Sequence, residues 1–282
     1  MCHNSLELNC PICNESIHKI GDTYSLCKSC KYMYSSEQHG AGAEVISLEV
    51  VRRRNFKFIC RIIKEKFPQA KTILDVGCSR GLFLEIARDE GFLVTGVEPM
   101  KHLAEETQSH GFDVINGFFP QIMSISNKKY DIIIFNDSLE HIPNLQEMVY
   151  GIKTYLTDKG CAIINMPTSE GLIFKIAAVL YKLGIKIPYY RMWQKGFASP
   201  HVHYFNLQNL KKLFENNGFV MNYSSPLPLY SIRGLYKRIS CKSSFFVSIF
   251  TWLFMILLYP LLSIRSDCLV ACFSIKKNYF RP

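Results

Sequence analysis

Thr72-Ile73-Leu74-Asp75-Val76-Gly77-Cys78-Ser79-Arg80-Gly81-Leu82-Phe83-Leu84 reads as a buried strand, a tight turn and the first turn of a helix. Ile73, Leu74 and Val76 are apolar and partly β-branched, which suits a strand covered on both faces. Gly77 and Gly81 bracket the turn, where a missing Cβ lets the chain bend sharply and lets a ligand reach the backbone. Leu82 to Ala87 opens an amphipathic helix whose unpaired N–H groups and positive end face that turn. A second apolar run, Phe92 to Val97, ends on Glu98. A carboxylate at the tip of the strand after a Gly-rich turn is a device for holding two ribose hydroxyls. The dinucleotide fingerprint G-x-G-x-x-G does not fit; the spacing is acidic-x-Gly-x-x-x-Gly.

Outward from this stretch the same rhythm repeats. Strands are expected at 72–76, 92–97, 112–115, 130–135 and 160–166, with helices near 81–90, 100–109 and 145–156. A helix from Glu44 to Phe67, ended by Pro68, precedes them with Val50, Val51, Phe58, Ile59, Ile62 and Ile63 inward. Asn206 reads as the N-cap of a helix closed by Gly218, and strands follow at 219–223 and 268–275. Strands alternating with helices imply an α/β fold, a parallel sheet with helices on both faces. Ligands of such sheets sit at the carboxyl ends of the strands. Gly77, Glu98, Asn116-Gly117 and Asn136-Asp137 all fall at such ends, which points to one site.

Asp75 to Gly81, Val97-Glu98-Pro99 and Tyr130-Asp131 through Leu139-Glu140-His141 resemble the class I S-adenosylmethionine (SAM) dependent methyltransferases. The similar group includes ubiquinone-biosynthesis O-methyltransferases and bacterial glycan-cluster enzymes. The resemblance covers most of residues 45–225. It implies a Rossmann-like sheet of seven strands, mostly parallel, the last antiparallel. It also implies that Asp75, Gly77 and Gly81 surround the methionine end of SAM, with Cys78, Ser79 and Pro99 beside them. Glu98 would hold the ribose, Asn116 and Gly117 would meet the adenine, and Asn136 and Asp137 would lie near the methyl group. Two departures stand out. Ser79 replaces the commoner middle glycine, and Asn116-Gly117 replaces an acidic residue, although Asn116 can still accept a hydrogen bond through its carbonyl oxygen.

His141 is the first catalytic candidate, since a hydroxyl acceptor must lose a proton and a histidine suits that. The alternative is a helix-entry histidine that only packs or caps. His201 and His203 alternate on an extended stretch and share a face. In the resembling family this segment lies near the acceptor pocket, which makes His203 the second candidate.

Cys10-Pro11-Ile12-Cys13 and Cys27-Lys28-Ser29-Cys30 are two C-x-x-C knuckles with the spacing of a tetrahedral zinc site. Four thiolates leave no open position, so the zinc is expected to be structural, in a ribbon over residues 1–36 that resembles ribbons preceding some bacterial methyltransferases. The other cysteines of the 11 are scattered, which argues against a disulfide framework and for a reducing compartment. No apolar signal segment is visible at the N-terminus. The net charge of +10 permits nucleic acid, anionic lipid or an anionic substrate without choosing among them. Arg52-Arg53-Arg54 reads as a solvated helix face.

Two apolar segments bear on location. In residues 172–186, Lys175, Lys182 and Lys186 fall on one stripe of an otherwise apolar helix, either a buried lid or a helix lying in a bilayer interface. Tyr189 to Trp193 adds an aromatic-basic cluster. Ser243 to Ile264 is uncharged and long enough to span a bilayer. If the strand after it returns to the same sheet, the chain must come back to the side it left. The segment is therefore expected to lie on or dip into the membrane, the alternatives being a true span or a buried dimer interface. The domain organisation expected is the ribbon, a SAM-binding domain over 44–235 and 266–280, and the apolar insertion at 243–264. The function expected is O-methylation of a small-molecule, glycan or lipid-linked hydroxyl, on the cytoplasmic face of the inner membrane. A ribbon-bearing RNA methyltransferase is the first rival, disfavoured because the basic residues are dispersed. A non-catalytic membrane scaffold is the second.

Overall fold

The computed structural model describes residues 9–21, 23–37, 49–125, 128–228, 236, 245–246, 248–250, 252–253, 256–257 and 266–276. The ribbon supplies β1 (Ile17–Lys19), β2 (Tyr24–Cys27) and β3 (Met33–Ser35). Then come α1 (Glu49–Lys66), β4 (Thr72–Val76), α2 (Leu82–Asp89), β5 (Leu93–Glu98), α3 (Lys101–Ser109), β6 (Asp113–Asn116), β7 (Tyr130–Asn136), α4 (Leu145–Tyr155) and β8 (Leu156–Pro167). The remainder is α5 (Leu172–Lys182), α6 (Ile187–Met192), β9 (His203–Tyr204), α7 (Leu207–Asn216), β10 (Phe219–Leu227) and β11 (Cys268–Ile275).

Seven strands form the central sheet in the order β6-β5-β4-β7-β8-β11-β10. β11 runs antiparallel to both its neighbours, and the pairings from β6 to β8 are parallel. The α/β architecture with an antiparallel last strand is thus as expected. The middle strands are apolar on both faces because both faces are covered. Leu74, Val76, Ile133 and Phe135 pack with α4 and α7 on one side, and Ile73, Ile132 and Ile134 pack with α1 and α2 on the other. Val50, expected inward on α1, is exposed while its neighbour Val51 is buried, because the ~100° step between helix positions turns Val51 and not Val50 toward the core.

The ribbon is joined to this core. β9 pairs antiparallel with β3 and completes a four-stranded sheet. Cys10, Ile12, Cys27 and Tyr32 share one apolar cluster with Leu139, Phe205 and Leu210. Helix α5 buries Phe174 and Ala177 against Tyr24, Tyr189, Trp193 and Tyr204. Its other side exposes Val179, and the turn beyond it exposes Leu183, Ile185 and Ile187.

β10 ends opposite the start of β11, with Leu227 paired to Cys268, so the intervening segment leaves and returns at one point of the sheet. Within it Phe245, Phe246, Phe250, Leu253 and Leu257 are exposed, Ile249, Trp252 and Ile256 are half-buried and Ser248 is buried; the other positions of the expected insertion at 243–264 lie outside the described residues. Among the described residues no helix is long and apolar enough to cross a membrane.

Candidate functional site

The carboxyl ends of β4, β5 and β7, with the loop after β6, open on one cavity of about 830 Å³. That is a volume suited to a nucleoside-sized ligand together with a second molecule. Gly77, Ser79, Glu98, Pro99, Gly117, Asn136, Asp137 and His141 line it. Asp75, Cys78, Gly81 and Asn116 are not part of that lining: Asp75 and Cys78 are buried next to it, Gly81 ends the β4 turn and Asn116 is exposed at the tip of β6.

The turn after β4 has its conformation because Gly77 and Gly81 sit at φ +78° and +74°. A Cβ on Gly77 would come within 2.7 Å of the Ser138 Cβ. Ser79, the departure noted above, takes the left-handed conformation at φ 49° without being glycine. Its own hydrogen bonds hold it there. Its N–H donates to Glu98 Oε2 at 2.8 Å, and its carbonyl accepts from Thr107 Oγ1 at 2.9 Å. Glu98 Oε1 accepts from the Met100 N–H at 2.9 Å. The buried carboxylate therefore clamps the tip of β5 to the β4 turn, and each oxygen retains capacity to accept from a ribose hydroxyl. Asn116 commits its amide nitrogen to the carbonyls of Glu98 and Pro99, at 2.9 and 3.2 Å, which leaves its carbonyl oxygen as the acceptor an adenine amine would need.

Asp75 is buried beneath this wall, and burial pushes its carboxyl up to about 7, opposed by the hydrogen bond from Asn136 and aided by the Glu98 charge. Asn136 Nδ2 donates to Asp75 Oδ1 at 3.1 Å, Asn165 Nδ2 to Asn136 Oδ1 at 3.2 Å, and Cys268 Sγ to Asn165 Oδ1 at 3.2 Å. One polar thread thus crosses four adjacent strands in an otherwise apolar sheet.

Arg52 was not legible as a site residue. It projects from α1 into the cavity and its guanidinium meets Asp137 Oδ2 at 3.1 Å, while its Nε is buried without a hydrogen-bond partner. Arg53, one step round the helix, instead bridges Glu49 and Glu85. The solvated-face expectation for the triplet is therefore corrected at Arg52. The basic triplet itself was the available signal, but only the rotation of α1 on the sheet selects which arginine points inward.

On the opposite wall His141 Nδ1 lies 2.9 Å from the Pro200 carbonyl. A carbonyl only accepts, so Nδ1 carries the ring hydrogen and Nε2 is the proton-accepting nitrogen of the neutral ring. Glu140, beside it, is fully buried with neither carboxylate oxygen hydrogen-bonded, and His201 Nδ1 is likewise buried and unpartnered. Burial raises Glu140 well above its ordinary value and lowers His201 well below its own. One ligating atom from each of Glu140, His141 and His201 lies within 4.8 Å of the others. A proton on Glu140 or a divalent cation among the three would relieve that burial, and a carboxylate with two imidazoles is a suitable donor set.

His203 is corrected as a catalytic candidate. It is buried away from the cavity lining, with Nδ1 at 2.5 Å from the Tyr32 hydroxyl and Nε2 at 2.8 Å from the Ile142 carbonyl. Burial lowers its pKa to about 4, which makes it a weak base at neutral pH.

At the far end the four thiols of Cys10, Cys13, Cys27 and Cys30 lie within 4.8 Å of one another. Sulfur–sulfur distances of 3.6 Å for Cys10–Cys30 and 3.4 Å for Cys13–Cys27 approach the ~3.8 Å edge of a tetrahedral Zn–S4 centre. The cysteines are free of disulfides, so the donor set fits zinc. All four positions would be taken by protein.

Residues 49–223 match the family model described as a methyltransferase domain. A ubiquinone biosynthesis O-methyltransferase of Rickettsia prowazekii is 32% identical over 146 residues, 49% of this chain and 58% of that protein. The same-named protein of Rickettsia bellii is 29% identical over 157 residues, 53% of this chain and 65% of its own length. The chain thus spans under two thirds of these relatives. Among solved structures, a SAM-dependent methyltransferase from Archaeoglobus fulgidus superimposes with a TM-score of 0.50 at 19% identity, covering 80% of this chain and 96% of that one. A protein from Pyrococcus horikoshii reaches 0.52 at 14% identity, covering 83% and 94%. At such identities the structural likeness speaks for the fold alone.

Proposed function

The chain belongs to the methyltransferase-domain family, and from that premise we propose that it transfers the methyl group of SAM to a hydroxyl of a saccharide or lipid-linked intermediate. The observation that carries the reading is the meeting of the Gly77 turn, Glu98 and Asn136-Asp137 on one cavity large enough for two ligands. When bound, SAM supplies a sulfonium methyl, whose carbon bonds to the acceptor oxygen as the carbon–sulfur bond breaks and its electron pair stays on sulfur. The protein's own contribution is placement and proton handling. Glu98 would hold the ribose, the β4 turn the methionine backbone, and His141 Nε2 would take the hydroxyl proton. The four-cysteine site would hold a structural zinc.

The acceptor class is supported by an exposed surface that the chain links to the cavity through α6. Exposed Val179, Leu183, Ile185 and Ile187 stand with exposed Lys175, Lys182 and Lys186, a combination suited to an anionic bilayer surface. The chain passes from there through α6 to Gln194, Phe197, Ala198 and Ser199, which roof the cavity. The reading therefore has the enzyme peripheral on the cytoplasmic membrane face. Its test is incubation with methyl-labelled SAM and fractionated cell lipid, glycan and RNA. Label in lipid or glycan is expected. Label confined to RNA would favour the nucleic-acid rival, and no incorporation anywhere would favour the scaffold.

Arg52 completes the cofactor side of the proposal. Its unpartnered Nε, next to the methionine wall, would donate to the SAM carboxylate. Arg52→Ala is expected to weaken SAM about tenfold by calorimetry, the worth of one charge-assisted hydrogen bond. Arg53→Ala, which removes only surface ion pairs, should leave the affinity within about twofold.

A further inference from the structure

The ribbon reaches the cavity through the loop of residues 138–144, whose Ser138, His141, Ile142, Pro143 and Asn144 line it. Two separate threads make the connection. Tyr32 follows Cys30 by two positions and is fully buried. Its hydroxyl meets His203 Nδ1 at 2.5 Å, and His203 Nε2 meets the Ile142 carbonyl at 2.8 Å. Because the carbonyl can only accept, Nε2 carries the ring hydrogen and Nδ1 accepts from Tyr32, so direction and tautomer are both set. The second thread is backbone. The Ser35 N–H donates to the Val202 carbonyl at 2.8 Å, and the Val202 N–H to the Glu140 carbonyl at 2.9 Å.

The knuckles are gripped from the core as well. The Cys30 carbonyl accepts from Asn209 Nδ2 at 3.1 Å, the Ile12 carbonyl from Asn216 Nδ2 at 2.8 Å, and the Pro11 carbonyl from Gln146 Nε2 at 3.1 Å. The cofactor wall is braced within the sheet, Glu98 by the Ser79 and Met100 amides and Asp75 by Asn136. Metal at the cysteines therefore has a short route to the His141 side of the cavity and a long one to the Glu98 side.

We propose that the metal load of the four-cysteine site sets the position of the 138–144 loop through Tyr32 and His203, which act as positioning residues for the acceptor side. The consequence for methyl transfer rests on the function proposed above; the coupling itself does not. A chain that loses its metal would keep the cofactor side and lose the geometry around His141, so turnover would follow metal supply.

The test uses the full chain, loaded with zinc and verified by elemental analysis, the same chain stripped with chelator, and zinc-loaded Tyr32→Phe. Hydrogen exchange is read at residues 139–142 and 76–81, and S-adenosylhomocysteine affinity by calorimetry. Exchange at 139–142 is expected to rise about tenfold in both altered forms, with 76–81 unchanged and the affinity within about twofold. In Tyr32→Phe the His203 Nδ1 signal should shift as it loses the Tyr32 donor, while Nε2 keeps its hydrogen on the Ile142 carbonyl. Unchanged exchange at 139–142 in the metal-stripped chain, or unchanged exchange there in zinc-loaded Tyr32→Phe, would overturn the proposal. So would a parallel loss of ligand affinity, or a purified chain that takes up no zinc. If full stripping unfolds the chain, zinc is withdrawn in sub-stoichiometric steps instead, and a rise in exchange at 139–142 that does not track the zinc lost would equally overturn the proposal. Failure of the wild type to bind the nucleoside would count against the proposed function, while the exchange data still judge the coupling.

Discussion

Glu98→Ala is expected to weaken SAM binding by about a hundredfold or more, measured by calorimetry on the purified chain. The size follows from two losses at once. The ribose hydroxyls lose a charged acceptor, and the Ser79 and Met100 amides lose the oxygens that receive them at 2.8 and 2.9 Å. Ser79 then has less to hold it at its positive φ of 49°, so the β4 turn loosens as well. Glu98→Gln distinguishes the two contributions. Its side chain keeps the shape but turns an NH₂ toward one of the two amides, so an intermediate loss of about tenfold is expected. Undiminished binding in Glu98→Ala would remove the ribose assignment and with it the main support for the cofactor cradle.

Asp75→Asn should make the ligand-free protein more stable at pH 8, by up to roughly 4 kcal/mol, and remove part of its pH dependence. Burial pushes the Asp75 carboxyl up to about 7 in the fold, whereas it titrates near its ordinary value of 3.8 once the chain unfolds. Between those two values the folded state holds a proton that the unfolded state has released. The wild type therefore loses stability as pH rises from about 4 to about 7 and levels off above that. Asparagine is neutral throughout, and its Oδ1 can still accept from Asn136 Nδ2. Urea unfolding of both proteins at pH 5 and pH 8 reads the effect, and the gap should widen at the higher pH. An equal gap at both pH values would mean that Asp75 is not held protonated.

The strand tips could be read from the sequence because each reading was local. Glu98 ends an apolar run one strand after a Gly-bracketed turn, and the β-sheet pleat together with the parallel rhythm leaves little choice about where that carboxylate goes. The convergence of the two cysteine knuckles was legible for the same reason, two residues of spacing within each pair and one hairpin between them. Asn206 as N-cap is a similar case, and its side chain does accept from the Asn209 N–H at 2.8 Å. Arg52 and His203 were misread because their roles depend on packing. Neighbouring helix positions differ by about 100°, and nothing local says which of three consecutive arginines faces a cavity. His203 was judged by its alternation with His201, but pairing of β9 with the ribbon strand β3 turned it toward Tyr32, 171 positions away in the chain.

The sequence by itself determined the doubly covered α/β sheet, the ligand end of that sheet, the carboxylate at its second strand and the four metal-ready thiols, since short-range periodicity and spacing suffice for each. Only the tertiary structure decided that Arg52 enters the cavity, that Glu140, His141 and His201 converge, and that the ribbon shares a sheet and a core with the transferase fold. Those outcomes come from contacts between segments far apart in the chain, where burial and the pairing of buried polar groups, not local pattern, select the arrangement.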